Sequence, residues 1–464
     1  MNQKRIIDCN VGSSIVLDKN ILLPHELQNI HNDLSVNAWL YDKYEMHYYY
    51  KTFHDMIVVP RFYDRFTFNC VNDLTTKGEI IDIDWNKDFE LREDKQEVLN
   101  ILYAKNNGII QLPTGFGKTI TAIKHISENK KKALILVDRE VLLDQWYESI
   151  ISTTNYTEND ISIFKAGEIS LDKPIVIAMV QTITSNLRND FFKTLERFKN
   201  ANFGITYVDE VHSIIGPIGF SDARFIFFSE KLFALSATPF RNDKKETQII
   251  KWCFGDIIVE KKLAVCANVK IVPYENKLQA KTYNYIRRGG TFNYVNYAKM
   301  VYTKDILFVQ TVLDIILDIS NKSKYKILLP LSIIKIIELL VDIIEKTERY
   351  APLRNKYTIL TSETKNTYDK EAQIIIATVG LISKGFDDDM ISTLLMTIPL
   401  GSSRTFITQL SGRILRTRKD KTEFNIIDIV DTRSNETVRS FFGRLKIYEE
   451  LTFNIDYTEC PKRS

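Results

Sequence analysis

The sequence lacks several features that would narrow its function at once. Its five cysteines are scattered without a CxxC pair, which argues against a zinc site, an iron–sulfur cluster or a disulfide framework. The N-terminus has no apolar signal core, and the most apolar run, KILLPLSIIKIIELLVDII, is interrupted by Lys335, Glu338 and Asp342. This run therefore predicts a buried or amphipathic helix, and we expect no membrane contact. Its first residues, within KYKILLPLSII (324–334), also fit an apolar strand. An intracellular, reducing compartment is the simplest setting.

An excess of charge of one sign is also missing. The 62 basic and 59 acidic residues give a net charge of +3, so any contact with nucleic acid must come from local patches. The 464 residues contain 44% hydrophobic and 26% charged residues, which is ordinary for a globular enzyme of several domains. Because coiled-coil and repeat signals are absent, we expect a monomer.

What the chain does contain is the segment QLPTGFGKT, residues 111–119. Glycines in such a turn let backbone N–H groups converge on an anion at a helix N-terminus. Lys118 would reach the β- and γ-phosphates of a nucleotide, and the Thr119 hydroxyl would bind Mg²⁺. Leu112 stands where the general phosphate-loop pattern has its first glycine, so a plain glycine turn before a surface helix is the alternative. The predicted cradle consists of Pro113, Thr114, Gly115, Phe116, Gly117, Lys118 and Thr119.

If Lys118 holds phosphates, a second strand must deliver carboxylates. The segment FGITYVDEVHS predicts a buried parallel strand with Asp209 and Glu210 at its carboxyl end, where open α/β sheets bind ligands. Asp209 would hold Mg²⁺ through a coordinated water, and Glu210 would orient or deprotonate the attacking water. An isolated Asp-Glu pair is usually a solvated strand end, and only the phosphate loop upstream favours the catalytic interpretation.

Four segments taken together resemble motifs I, II, III and VI of superfamily 2 helicases. They are PTGFGKT (113–119), VDEVH (208–212), SATP (236–239) and QLSGRILR (409–416), in that order along the chain. The resemblance implies an α/β fold with two tandem RecA-like parallel-sheet lobes that clamp ATP and Mg²⁺ between them and track along nucleic acid. It predicts a DNA-binding, β-rich or α+β domain over 1–88, lobe 1 over 89–262 and lobe 2 over 263–464.

The resemblance also implies further site residues. Nucleotide contacts are implied for Arg92, Gln96, Gly385 and Asp387, and nucleic-acid contacts for Gln181, Thr182 and Thr378. Gln409 would lie near the attacking water. Arg413 and Arg416 would approach the phosphates from one helical face, with Arg416 as the stronger candidate arginine finger. A basic surface helix is the alternative for these arginines.

Two segments rich in basic and aromatic residues bear on the substrate. YDKYEMHYYYKTFHDMIVVPRFYDRF, within residues 1–88, could stack on unpaired bases, or its tyrosines could form the core of a small domain. Residues 281–304 carry no acid, and they include Arg287 and Arg288 followed by two glycines. We expect a hairpin or flexible loop there that contacts nucleic acid. Its alternative is a connector whose tyrosines cover the sheet.

The segments LDQW, DEVH and SATPFR are most similar to the XPB-like branch and its phage UvsW-type relatives. This similarity implies an ATP-dependent DNA helicase or translocase that remodels forks and Holliday junctions in replication, recombination or repair, with replication or recombination proteins as partners. It also allows a virus-encoded protein. One alternative is an RNA-directed or transcript-release ATPase, and another is a nucleotide-gated nucleic-acid-binding module with weak hydrolysis. Glu210, Arg413 and Arg416 argue against that module.

Overall fold

The computed structural model describes residues 5–40, 43–113, 116–165, 170–214, 221–239, 243–261, 265–287, 291–361, 363–364, 368–382, 388–397, 404–415 and 421–461. The chain divides into two compact units, residues 1–262 and 263–464. Among the described helices, none is both long enough and apolar enough to cross a membrane.

The first unit begins with a small mixed-sheet subdomain. Its elements are β1 (Ile6–Val11), β2 (Ser14–Asp18), α1 (Pro24–Leu34), β3 (Ser35–Leu40), β4 (Lys43–Tyr48), β5 (Lys51–Phe53), β6 (Met56–Pro60) and β7 (Thr67–Asp73). Five strands form one sheet in the order β5-β6-β2-β1-β7, in which only the β1–β7 pair is parallel, and β3 and β4 form a separate antiparallel pair. This arrangement matches the β-rich or α+β expectation.

The rest of the first unit is a RecA-like lobe. Its strands are β8 (Asn107–Gln111), β9 (Ala133–Val137), β10 (Ile161–Phe164), β11 (Ile175–Met179), β12 (Ile205–Asp209), β13 (Lys231–Ser236) and β14 (Ile257–Glu260). Its helices are α2 (Glu93–Ala104), α3 (Lys118–Asn129), α4 (Glu140–Thr153), α5 (Val180–Asn189), α6 (Phe191–Asn200), α7 (Val211–Ile214) and α8 (Lys244–Phe254). The strands pair in parallel in the order β10-β11-β9-β12-β13-β8-β14. Because helices cover both faces, β9 and β12 are buried along their whole length.

A buried arginine joins the small subdomain to this lobe. Arg224 is 3% exposed and donates to the carbonyl of Tyr49 at 2.8 Å and to Ser14 Oγ at 3.2 Å. The aliphatic cores of the two parts form one continuous cluster. The subdomain is thus fixed to the lobe by burial and by hydrogen bonds.

The second unit repeats the parallel-sheet design. Its strands are β15 (Asn268–Tyr274), β16 (Lys326–Leu331), β17 (Tyr357–Leu360), β18 (Ile374–Thr378), β19 (Ile391–Met396), β20 (Asn425–Asp431) and β21 (Asn454–Asp456). Its helices are α9 (Ala280–Ile286), α10 (Tyr294–Lys304), α11 (Ile306–Lys322), α12 (Ile334–Lys346), α13 (Val379–Ile382), α14 (Arg404–Ile414) and α15 (Asn435–Glu450). The order is β17-β18-β16-β19-β20-β15-β21, again with parallel pairs. The predicted α/β class with two RecA-like lobes is confirmed.

One local prediction in this unit is confirmed in part, and another was wrong. The apolar run was expected as a helix, with a strand within residues 324–334, and it forms the buried strand β16 followed by the helix α12. The arms of the basic-aromatic segment, expected as a hairpin or flexible loop, are the helices α9 and α10. Helical spacing explains the second difference, since the buried residues of α10 are Tyr297, Ala298, Val301 and Tyr302.

Candidate functional site

The predicted phosphate loop leads from β8 into α3. Gly117 is the N-cap of α3 in the left-handed conformation, with φ 94°, where a side chain would be strained. A Cβ at Gly117 would also lie 2.8 Å from Lys95 Cε. Lys118 and Thr119 occupy the first turn of α3, whose N-terminus favours an anion. Thr114 and Gly115 lie outside the described residues.

The two predicted carboxylates lie at the carboxyl end of β12. Asp209 is 4% exposed, and its Oδ1 accepts the backbone N–H of Glu210 at 2.9 Å. Glu210 itself adopts φ 49°, a conformation that costs a non-glycine residue roughly 1 kcal/mol or more. After this turn the Glu210 side chain points toward the phosphate loop, where Lys118 Nζ lies 4.0 Å from Glu210 Oε1.

A polar network contacts Glu210 Oε2, whereas Lys118 lies nearest Oε1. Ser236, the last residue of β13, donates from Oγ to Glu210 Oε2 at 3.1 Å. His212 Nδ1 lies 2.9 Å from the same Ser236 Oγ and 3.3 Å from Glu210 Oε2. The Thr238 backbone N–H donates to Ser236 Oγ at 3.1 Å. The network therefore joins the DEVH and SATP segments, which come from the neighbouring strands β12 and β13.

The pKa values of the two carboxylates are shifted in opposite directions. Burial, with the Glu210 charge second, raises the pKa of Asp209 to about 6. Burial also acts to raise the pKa of Glu210, but Lys118, His212 and Ser236 outweigh it and hold that pKa below its ordinary value. Glu210 is therefore ionised at neutral pH, as an acceptor for the proton of a water must be.

Sequence reasoning assigned no role to Trp146, which also contacts this site. Its indole Nε1–H donates to Asp209 Oδ2 at 2.9 Å, and both side chains are buried. Trp146 lies on α4, 63 residues before Asp209 in the chain. Two sequence signals were available for this residue: its place in the LDQW segment and its position on the helix after β9.

Arg92 and Gln96, two of the residues with implied nucleotide contacts, are on the exposed start of α2. Arg92 is the N-cap of α2, and its guanidinium donates to the Phe116 carbonyl at 3.3 Å. Gln96 donates to Asn100 Oδ1 at 3.2 Å. Lys95 was not predicted, yet its side chain lies against Gly117, and burial lowers its pKa, with Arg92 contributing. The start of α2 therefore lies beside the phosphate loop.

The predicted nucleic-acid contacts in the first unit bind the protein itself. Gln181 Nε2 donates to the Asp138 carbonyl at 2.7 Å, and Thr182 Oγ1 donates to the Lys165 carbonyl at 2.6 Å. Both residues are in the first turn of α5. Their described hydrogen bonds connect the ends of neighbouring strands, and contact with a phosphate backbone stays a prediction.

In the second unit, the structure describes only part of the predicted site. Thr378 ends β18, Gln409 is half-buried on α14, and Arg413 is 8% exposed on the same helix. The helix ends at Ile414, two residues before Arg416, so the expected shared helical face reaches beyond the described helix. Four predicted site residues of this unit lie outside the described residues: Arg288, Gly385, Asp387 and Arg416.

The basic-aromatic segment is partly core. Arg287 forms an ion pair with Glu436 at 2.9 Å and is about half exposed. Tyr297 is 2% exposed and donates to Asp431, and Tyr302 is 2% exposed and donates to Thr397. Two of its tyrosines thus pack into the second unit, as the connector alternative expected, whereas Tyr285 is 48% exposed.

The aromatic and basic residues of the N-terminal subdomain also include both buried or paired residues and exposed ones. Tyr49 is fully buried, Lys51 pairs with Asp222 at 3.0 Å, and Arg65 pairs with Asp33 at 2.7 Å. Tyr48 is 46% exposed, and its ring meets that of Tyr50 edge to face at 5.6 Å between centroids. The pair formed by Tyr48 and Tyr50 is an aromatic surface on this subdomain.

Comparison with known proteins places these motifs in a family context. Residues 88–241 match the family described as Type III restriction enzyme, res subunit. The putative helicase 161L of Invertebrate iridescent virus 6 is 28% identical over 78% of this chain and 81% of its own. The putative ATP-dependent RNA helicase L396 of Acanthamoeba polyphaga mimivirus is 28% identical over 75% of this chain and 64% of its own. The DNA 3'-5' helicase XPB of Mycobacterium tuberculosis is 29% identical over 35% and 29%.

The chain therefore spans less than two thirds of the mimivirus and mycobacterial relatives. Among solved structures, the crystal structure of T4 UvsW aligns over 79% of this chain and 76% of its own, with 18% identity and a TM-score of 0.33. A TM-score this low establishes no shared arrangement.

Proposed function

Since the chain is an ATP-hydrolysing helicase of superfamily 2, related in sequence to XPB-type helicases, we propose that its substrate is DNA and that it remodels branched DNA. The observation that supports ATP hydrolysis, on which the proposal depends, is the Lys118, Glu210, His212 and Ser236 network at the ends of neighbouring strands. A binding module would not need a carboxylate held in a costly backbone conformation beside a phosphate-binding lysine.

The residues of the first unit fit ATP and Mg²⁺. Gly117 leaves the backbone open at the N-terminus of α3, and the buried Asp209, with its raised pKa, is a carboxylate that a divalent cation would stabilise. Thr119 and Asp209 would hold Mg²⁺, which when bound neutralises charge on the transferring phosphoryl group.

Each protein group in the first unit then has one task. Lys118 binds the phosphates, and Glu210 orients the attacking water and accepts its proton. Ser236 and His212 keep the Glu210 carboxylate in place. In the second unit, Gln409, Arg413 and Arg416 remain the predicted groups for the attacking water and the developing phosphate charge.

Several considerations support DNA and a branched substrate. The XPB-type relatives are named as DNA helicases or translocases. The N-terminal subdomain is fixed rigidly to the lobe through Arg224, so a strand bound there would have a defined position relative to the motor. The exposed Tyr48 ring, with the half-buried Tyr50 ring beside it, could stack on unpaired bases, each stack contributing roughly 1–3 kcal/mol. We also propose a monomeric, virus-encoded protein that works with replication or recombination proteins; the viral relatives support its origin.

The mimivirus relative is named as an RNA helicase, which favours RNA as the second candidate substrate. The test is the steady-state ATPase rate with no nucleic acid, single-stranded DNA, linear duplex, a four-way junction or structured RNA. Lys118→Ala is the blank, and Lys124→Ala, on the same helix, is the matched control. Strongest stimulation by the junction is the expected result. Stimulation by RNA alone, or equal stimulation by every duplex, would contradict the proposal.

A further inference from the structure

We infer that Trp146 is a positioning residue that holds Asp209 in the orientation required to bind the metal ion of the nucleotide. The inference rests on the proposed function, because it assigns the metal to Asp209. Its observation is the 2.9 Å hydrogen bond from the indole Nε1–H to Asp209 Oδ2, between a fully buried tryptophan and a carboxylate that is 4% exposed.

The two oxygens of Asp209 are held by different parts of the protein. Oδ1 accepts the backbone N–H of the next residue, Glu210, a contact that any side chain at position 146 would leave in place. Oδ2 accepts Trp146, which comes from a separate helix. The indole N–H is therefore the tertiary contact that fixes rotation of the carboxylate about its side-chain bonds.

This orientation matters because Mg²⁺ requires near-ideal octahedral geometry and keeps several of its waters. A carboxylate that binds the ion through a water can do so only if its oxygens point correctly. Groups that orient metal ligands typically contribute 10- to 100-fold to metal affinity. Removing the indole N–H should therefore weaken metal binding while leaving Lys118 and the phosphate loop in place.

A purely structural role is the competing explanation, since the Trp146 ring also packs in the hydrophobic core against Tyr207, with 6.4 Å between the ring centroids. Trp146→Phe keeps an aromatic ring but removes the N–H. Incorporating 3-benzothienylalanine at position 146 keeps the full bicyclic shape and replaces the N–H by sulfur, which serves if the phenylalanine variant does not fold.

The matched control is Trp252→Phe. Trp252 is 5% exposed and also donates its indole N–H to a carboxylate, Asp64, at 2.7 Å. Its partner belongs to the N-terminal subdomain and not to the nucleotide site. The two variants thus lose the same kind of bond, but only one loses it at the candidate metal ligand.

The experiment measures Mn²⁺ binding to the full chain by electron paramagnetic resonance of the free ion, with a non-hydrolysable ATP analogue present. Expected is a dissociation constant for Mn²⁺ that is 10- to 100-fold higher in Trp146→Phe than in the wild type and unchanged in Trp252→Phe. A second readout is binding of a fluorescent adenine nucleotide without metal, which should be unchanged in both variants.

The possible results separate the inference from the proposed function. If the wild type shows no nucleotide-dependent Mn²⁺ binding, the proposed nucleotide site itself is wrong. If the wild type binds and Trp146→Phe binds equally well, the positioning role is overturned while the proposed function stands. An equal loss in both tryptophan variants would also overturn it, because a general loss of packing would then be the cause.

Discussion

Replacing Asp209 with asparagine is expected to remove a pH-dependent loss of stability from the nucleotide-free protein while abolishing ATP hydrolysis. Burial, together with the Glu210 charge, raises the pKa of Asp209 from 3.8 to about 6. Because the pKa of Asp209 is higher in the folded chain than in the unfolded chain, the folded chain binds the carboxyl proton of Asp209 more tightly. The stability that the group contributes at low pH is therefore lost as the pH rises through about 6.

The size of the effect follows from the shift in pKa. About two units at ~1.4 kcal/mol per unit correspond to a loss on the order of 3 kcal/mol above pH 6. Asparagine does not ionise, but its one amide oxygen can accept only one of the two N–H groups, from Trp146 and Glu210, that Asp209 accepts, so the variant loses a hydrogen bond at every pH. The free energy of unfolding of Asp209→Asn, relative to that of the wild type, should therefore rise by about 2–3 kcal/mol between pH 4 and pH 7.5.

Tryptophan fluorescence during denaturant unfolding measures this difference in the correct part of the chain. All four tryptophans lie in residues 1–262, the first compact unit. Asp64→Asn is the control, because Asp64 also accepts an indole N–H but is exposed; it should show no gain that depends on pH. A difference in unfolding free energy between Asp209→Asn and the wild type that is the same at pH 4 and at pH 7.5 would refute the reasoning.

Three further variants test the nucleotide site and the predicted contact with DNA. Glu210→Gln should bind ATP but lower the single-turnover rate of hydrolysis by 10² or more, and rapid product formation would count against Glu210 as the base. Ser236→Ala removes a hydrogen bond to a carboxylate worth roughly 1.5–3 kcal/mol, so kcat should fall about 10- to 100-fold. Ser229→Ala, which loses a 2.7 Å bond to Thr206 near the other end of β13, should keep the wild-type rate; equal rates in both variants would contradict this. Arg287→Gln with Arg288→Gln should weaken DNA binding and reduce the slope of log K against log salt by about two. Lys322→Gln with Lys346→Gln is the matched control pair, and an unchanged slope in the arginine variant would assign Arg287 a structural role.

The strands that carry the site were predictable because their signals are local. β12 is a run of apolar residues that ends in a carboxylate, and β8 leads into a glycine turn. Each pattern lies within about ten residues, so it can be recognised without knowledge of the tertiary structure. The parallel order then brings the ends of β12 and β13 together.

Contacts between distant residues were not predictable in this way. The Trp146–Asp209 bond spans 63 residues, and no periodicity in the sequence encodes it. The helix α10 was missed for a different reason: two glycines and several tyrosines suggested a loop, whereas Tyr297 and Val301, four residues apart, are both buried on one helical face. In this segment the helical spacing of the apolar residues indicates the structure better than the composition does.

The two units treat a buried carboxylate in opposite ways, and the contrast supports a ligand site in the first. In the second unit, Asp428 is fully buried and accepts two hydrogen bonds from the Arg444 guanidinium, at 2.7 and 2.9 Å. Asp209 instead accepts hydrogen bonds from the neutral N–H groups of Trp146 and Glu210, while Lys118 is directed at Glu210. A buried carboxylate without a bonded cation lowers stability until a cation binds. A metal–nucleotide complex would therefore stabilise the first unit by mass action, and the cost that the folded chain bears at Asp209 becomes part of its affinity for that complex.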